Sequence, residues 1–188
     1  IFIPADCQVD SWDHLISRCR AAFRGNKRVA IWAPHTHGTA WTPERTVLRK
    51  QSGQSLSVTS VDSLVWATRG TFLKNLPDLN FASNKFGWGI ETAVAAEAHR
   101  KRNLVILDVS LSYSHLRGSG YSPNDAEVGE IDFLRNLPSQ TLTVVRRIQF
   151  IFTMRKLAET KRLNWAQSIK LWAQTLLLSA SKALPHSS

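Results

Sequence analysis

The stretch that most constrains this chain is residues 90–115, "IETAVAAEAHRKRNLVILDVSLSYSH". Its first half predicts an alanine-rich helix over 90–102, with acids early and bases late, a distribution that complements the helix dipole. Its second half predicts a strand over 103–115 with a break near Asp108. The same alternation runs through the earlier chain. "IFIPA" (1–5) and "RVAIWA" (28–33) read as strands, as do "TVLRK" and "SLSVTSVDSLVWAT" on either side of the turn "QSGQ". Between the first two lies a predicted helix over 11–24. Ser11 is its N-cap, Trp12, Leu15, Ile16, Cys19, Ala22 and Phe23 fall at helical spacing, and Gly25 stops it.

"RGTFLKNL" predicts a short helix, and 34–44 and 78–89 read as loops. "PNDAEVGEIDFLRNL" predicts another helix, with Asn124 as its cap. After Pro138 the pattern is helical only. Residues 139–160 carry Leu142, Val145, Ile148, Phe152 and Leu157 on one face, and 163–182 carry Trp165, Ile169, Trp172, Leu176 and Leu177 on another. The expected organisation is α/β over 1–138, followed by a basic amphipathic helical extension over 139–188. The two long helices have three available settings: the core, a partner, or a membrane surface.

Composition narrows the class. The chain has 188 residues, 43% of them hydrophobic and 20% charged, which is ordinary for a globular domain with a sizeable core. No run approaches the roughly 18 apolar residues of a spanning helix. The net charge of +10 suits an anionic partner: nucleic acid, a membrane surface or a phosphorylated substrate. Cys7 and Cys19, twelve apart and without a CxxC, make neither a zinc site nor a disulfide framework, and fit a cytoplasmic protein. The opening "IFIPAD" has no Met and no basic n-region; it reads as an interior strand, so the chain reads as a fragment or a processed product.

Several residues stand where chemistry is commonly placed. Asp6 follows the first predicted strand, where a carboxylate is either a hard ligand for Mg²⁺ or Mn²⁺ or a turn and cap residue. "FGWGIE" sets Trp88 between two glycines, just ahead of Glu91 at a helix start. It is either a packed turn or a platform holding a ring and a carboxylate beside a substrate. The helix dipole lowers the pKa of such an acid, so a role for it as a base requires geometry or desolvation to act against the dipole. His115 ends a strand before "LRGSG", where Arg117 and loop amides can meet phosphate oxygens. "HTH" at 35–37 is a metal pair only if its backbone is extended, and in a loop its geometry is undefined. Asp62 and Trp66, in "VDSLVW", are spaced to share one strand end.

In this order the segments "PAD", "WAPHTHGTAWTPER", "VDSLVW", "FGWGIE" and "DVSLSYSHLRGSGY" resemble the later half of GT-A-fold nucleotide-sugar glycosyltransferases, of the bacterial family-two kind, over roughly residues 1–135. The resemblance implies a mixed sheet flanked by helices and a sugar transferred from a nucleotide diphosphate sugar to a glycan, lipid or other hydroxyl acceptor. It implies a divalent cation, Mn²⁺ or Mg²⁺, held by Asp6 and His115, and Glu91 as the base that deprotonates the acceptor. Asp62 and Trp66 would then line the sugar pocket, with Trp88 at the acceptor side and Arg117 at the diphosphate. Pro4 stands where that motif often has an acid, and almost nothing precedes the acidic strand. The implied nucleotide-binding half is therefore missing from this chain, which reads as an N-terminally truncated enzyme or a remnant without turnover. The rival readings are a non-catalytic partner subunit and a basic module for nucleic acid or anionic membrane. The late helices lack interleaved stacking aromatics, which argues against nucleic acid.

Overall fold

The computed structural model describes residues 2, 7–51, 53–62, 64–115, 121–160 and 164–180. They form an α/β fold with an open, mixed sheet of six strands flanked by helices. The central pair is β2 (Val29–Thr36) and β6 (Leu104–His115), which run parallel. The hairpin β3 (Val47–Lys50) and β4 (Ser55–Val58) joins antiparallel through β4 to β6, and β5 (Ala67–Thr68) lies antiparallel on β2. β1 (Cys7–Val9) pairs antiparallel with residues 113–115 of β6.

The anticipated break in β6 is present. Pro34 pairs with Asp108, but the next partner of β2, at His35, is Ser112, so residues 109–111 are passed over in the register. Asp108 is buried there. It accepts from Ser110 and forms an ion pair with Arg18 of helix α1 (Trp12–Gly25) at 2.8 Å. Helix α1 starts as its sequence indicates, with the Ser11 hydroxyl accepting from the His14 amide at 3.2 Å.

The strand expected over 1–5, with Asp6 at its end, lies outside the described residues but for Phe2, and the first described strand, β1, follows it from Cys7, antiparallel to β6. Three other expectations are corrected. The single strand over 55–68 is interrupted: β4 ends at Val58, and residues 59–66 carry the chain from the β6 side of the sheet to the β2 side before β5. β2 continues to Thr36, so His35 lies in a strand, and the His35 and His37 rings meet at 5.5 Å. The cap of helix α5 (Pro123–Arg135) is Ser122, not Asn124, because Pro123 sits favourably at the first helical position.

After the short helices α2 (Pro43–Thr46) and α3 (Gly70–Lys74), helix α4 (Ile90–Arg100) is central, with every residue from Glu91 to His99 buried. It packs on α6 (Ser139–Glu159), whose Val145, Ile148 and Ile151 belong to the same apolar core as Ala93, Ala96, Val105 and Leu107. Residues after 138 thus contribute to this core. The buried face of α6 is rotated from the expected one toward Thr141 and Ile151. Thr141 reaches the core because its hydroxyl donates to Glu97 Oε1 at 2.6 Å, which satisfies both groups.

Glu97 is fully buried and also accepts both Nε and an Nη of Arg100 at 2.9 Å. Burial on its own raises this carboxyl, but the bonds from Arg100 and Thr141 and the nearby cations outweigh it and hold it below its ordinary range. A group lowered in this way stabilises the fold above its unfolded pKa and loses that effect as pH falls through the folded value. Glu97→Ala is expected to cost about 1–3 kcal/mol in urea melts near neutrality. The deficit should shrink in acid, and an equal deficit at acid and neutral pH would exclude this account.

Candidate functional site

A cleft of about 890 Å³ opens where the carboxyl ends of β2 and β6 lie side by side, the position at which α/β sheets commonly bind ligands. Thr36 and His115, at the two strand ends, form part of its wall. The loop from His37 to Trp41, Asp62 and Leu64 of the crossing segment, the turn 86–89, Glu91, Tyr121 and Glu130 complete it.

The turn "FGWG" is built to hold its tryptophan. Gly87 and Gly89 have φ of 77° and 80°, a region glycine enters without strain. Buried Asn84 clamps the turn from within. Its Nδ2 donates to the Trp88 carbonyl at 2.6 Å, and its Oδ1 accepts the Gly87 amide at 2.9 Å. The Trp88 indole N–H donates to the Tyr121 hydroxyl at 2.7 Å, and Phe86 lies against the Tyr121 ring at 4.9 Å. Phe86, Trp88 and Tyr121 thus make an aromatic wall for the cleft.

Gly89 is also the N-cap of α4, which places Glu91 in the first turn. Glu91 lines the cleft yet is only 4% exposed, and its Oε2 has no hydrogen-bond partner among the described residues. Its Oε1 accepts the Thr92 hydroxyl at 3.2 Å. Burial raises its pKa to about 8, and the charges of Glu130 and Asp62 add to the rise against bonds from its own amide and from Thr92. The desolvation demanded of a base at a helix start is therefore present, and it overrides the local lowering. Burial and Glu127 raise Glu130 as well.

Asp62 has a positioning part. It accepts the Thr39 hydroxyl and, at 3.1 Å, the Leu64 amide, while Thr39 Oγ1 accepts the Trp41 amide at 3.1 Å. Asp62 thereby ties the His37–Trp41 loop to the crossing segment across the cleft. His35, behind that loop, is lowered by burial and by His37.

Of the residues singled out from sequence, Glu91, Asp62, Trp88 and His115 meet in this one cleft. Trp66 does not line it. It is buried in the core with its ring stacked on Phe2 at 4.6 Å. Asp6 and Arg117 lie outside the described residues. Glu130, Tyr121 and Thr39 were not anticipated. Each reaches the cleft through tertiary packing, and no local pattern marks them.

Among the described residues no group of three or more His, Cys, Asp or Glu is placed to hold a metal ion. Asp62 is already committed to Thr39 and Leu64, which leaves His115 as the one described member of the metal pair that the sequence resemblance implies. These residues do not by themselves make a divalent-cation shell, and no chemical step below passes through one. No Lys or Arg is among the described lining residues either.

Fold and site together define an α/β protein with a carboxylate- and aromatic-lined cleft at the ends of parallel strands. Comparisons with family models, with curated proteins and with solved structures find no match.

Proposed function

We propose that the cleft is the acceptor side of a GT-A-like glycosyltransferase in which Glu91 is the general base. The observation that carries this reading is the buried, unpartnered Oε2 of Glu91 in a cleft shared with Asp62, Trp88 and His115. In the proposed step, Oε2 takes the acceptor hydroxyl proton as the acceptor oxygen bonds to the anomeric carbon of a nucleotide diphosphate sugar. The bond from that carbon to the diphosphate oxygen breaks, and the nucleotide diphosphate leaves with the electron pair. A carboxylate with a pKa of about 8 is a far better match to an alcohol proton than an ordinary one. The aromatic wall suits the apolar face of a sugar ring. Cys7 and Cys19 are buried and not joined in a disulfide, which fits a cytoplasmic setting.

The test is a pH–rate profile with radiolabelled nucleotide sugars and a panel of hydroxyl acceptors. The base must be ionised, so below pH 8 the rate should rise about tenfold per pH unit and then level off. A rate that is flat between pH 5 and pH 8 would remove Glu91 from this role. The absence of Lys and Arg from the described lining supports a second reading, a cleft that binds a polyhydroxylated ligand without transferring it. Calorimetric binding of oligosaccharides with no product from any donor would favour that reading.

A further inference from the structure

Helix α7 (Trp165–Ala180) packs on α6 through buried Leu178 and half-buried Leu171. Its other side carries Trp165, Ile169, Trp172 and Leu176, at i, i+4, i+7 and i+11, which is one continuous helical stripe. All four are exposed, Trp165 at 77% and Trp172 at 66%, and Leu177 beside them is exposed as well. The stripe is about 16 Å long. Core formation consumes one face of α7 and leaves this one without a partner among the described residues.

The charge of the C-terminal region indicates what covers the stripe. Residues 139–188 contain eight Lys and Arg and a single acid, Glu159. That acid is bound to Arg45 at 2.6 Å, so it offsets a charge outside this region. Arg146 and Arg147 line a hollow of about 300 Å³ shared with Gln174, on the side of α7 away from the stripe, and Lys170 lies 5.0 Å from the centre of the Phe150 ring on α6. No helix among the described residues is long and apolar enough to cross a membrane.

We propose that α7 docks flat on an anionic lipid bilayer surface. The Trp165–Leu176 stripe sinks into the boundary between headgroups and acyl chains, and the basic excess of residues 139–188 draws the helix to lipid anions. Tryptophan is the side chain best suited to that boundary, with an apolar ring and one N–H for the wet side. An apolar stripe within an excess of Lys and Arg is the pattern of an interfacial helix, and each basic residue near the surface adds to the attraction. Nucleic acid would use the cations but has no use for Ile169, Leu176 and Leu177.

The test uses the full chain in co-sedimentation with two kinds of vesicle, phosphatidylcholine alone and phosphatidylcholine mixed with phosphatidylglycerol, alongside size-exclusion chromatography. The wild type should bind the mixed vesicles, bind phosphatidylcholine more weakly, and lose affinity as salt rises. The double variant Trp165→Ala/Trp172→Ala removes only exposed side chains and should bind the mixed vesicles about tenfold or more weakly, with an unchanged circular dichroism spectrum. Reversal of both Arg146 and Arg147 to glutamate should erase the preference for anionic lipid. Equal vesicle binding by the wild type and the tryptophan variant would overturn the proposal, as would equal affinity for both vesicle types. So would absence of vesicle binding, whether the wild type then elutes as a dimer that the tryptophan variant dissolves or is retained on duplex DNA.

Discussion

Glu91→Gln is expected to lower sugar transfer by roughly a hundred- to ten-thousandfold, the usual contribution of a positioned general base, while leaving donor binding in place. The amide is nearly isosteric and keeps an oxygen for Thr92, but it cannot accept the acceptor proton. The readout is single-turnover transfer at saturating donor, with donor affinity measured separately. Unchanged transfer would sink the assignment; a loss of donor affinity with transfer preserved at saturation would make Glu91 a binding residue.

The same substitution has an opposite effect on stability, because the carboxyl is raised in the fold, to about 8. Its neutral form suits the buried site. Its contribution is complete below the unfolded pKa of about 4.3, and it is lost as pH rises toward and through the folded value. Between those limits the wild type loses roughly 1.4 kcal/mol per pH unit from this group alone, and Gln, which does not titrate, loses none. Urea melts of both proteins from pH 5 to pH 9 should show the variant gaining on the wild type up to about pH 8 and then holding a constant lead. The slope of the difference is the test, since a buried amide brings its own constant offset. Parallel curves would mean that Glu91 is not neutral in the fold. A residue that destabilises the fold when ionised, yet must ionise to act, is the kind of conflict expected at a functional site.

That conflict was only half legible in the sequence. The position of Glu91 at a helix start follows from the glycines and the alanine run, and the dipole's lowering of its pKa is a local effect. The raising comes from packing of α5 and the 59–64 segment around it, which is not encoded in neighbouring residues. The same division runs through the fold. Ser11 capping α1, the break at Asp108 and the two long helices are set by spacing and caps within a few residues. The β-branched run 55–68 looks like one strand because nothing within it records that the chain must cross the sheet to pair Ala67 with Trp32. Trp66 was drawn into the cleft by its nearness to Asp62 in sequence, whereas the crossing turns Asp62 toward Thr39 and Trp66 under Phe2.

The FGWG turn carries the second large effect, because Gly89 answers two demands at once. Its φ of 80° is strained for any residue with a Cβ, at about 1–2 kcal/mol. A Cβ built there would also lie 2.9 Å from Glu130 Cγ and 3.3 Å from Leu134 Cδ2, so those two side chains of α5 would have to shift. Overpacking of this kind typically adds 1–3 kcal/mol. Gly89→Ala is therefore expected to lower stability by roughly 2–5 kcal/mol, or about 4–20 °C in Tm for a chain of this size. Gly87→Ala is the internal control. Its φ is 77°, but its nearest obstacle, Ile90 Cδ1, is 4.0 Å away, so it should show the backbone cost alone. The two variants also separate a structural turn from a functional one. Pushing the Glu130 side chain away from Glu91 weakens its charge at that carboxyl, so the midpoint of the pH–rate profile should fall in Gly89→Ala and stay near 8 in Gly87→Ala. Equal stability losses in the two variants would rule out the α4–α5 contact as the reason for Gly89, and an unshifted midpoint in Gly89→Ala would rule out Glu130 as one of the groups that holds Glu91 neutral.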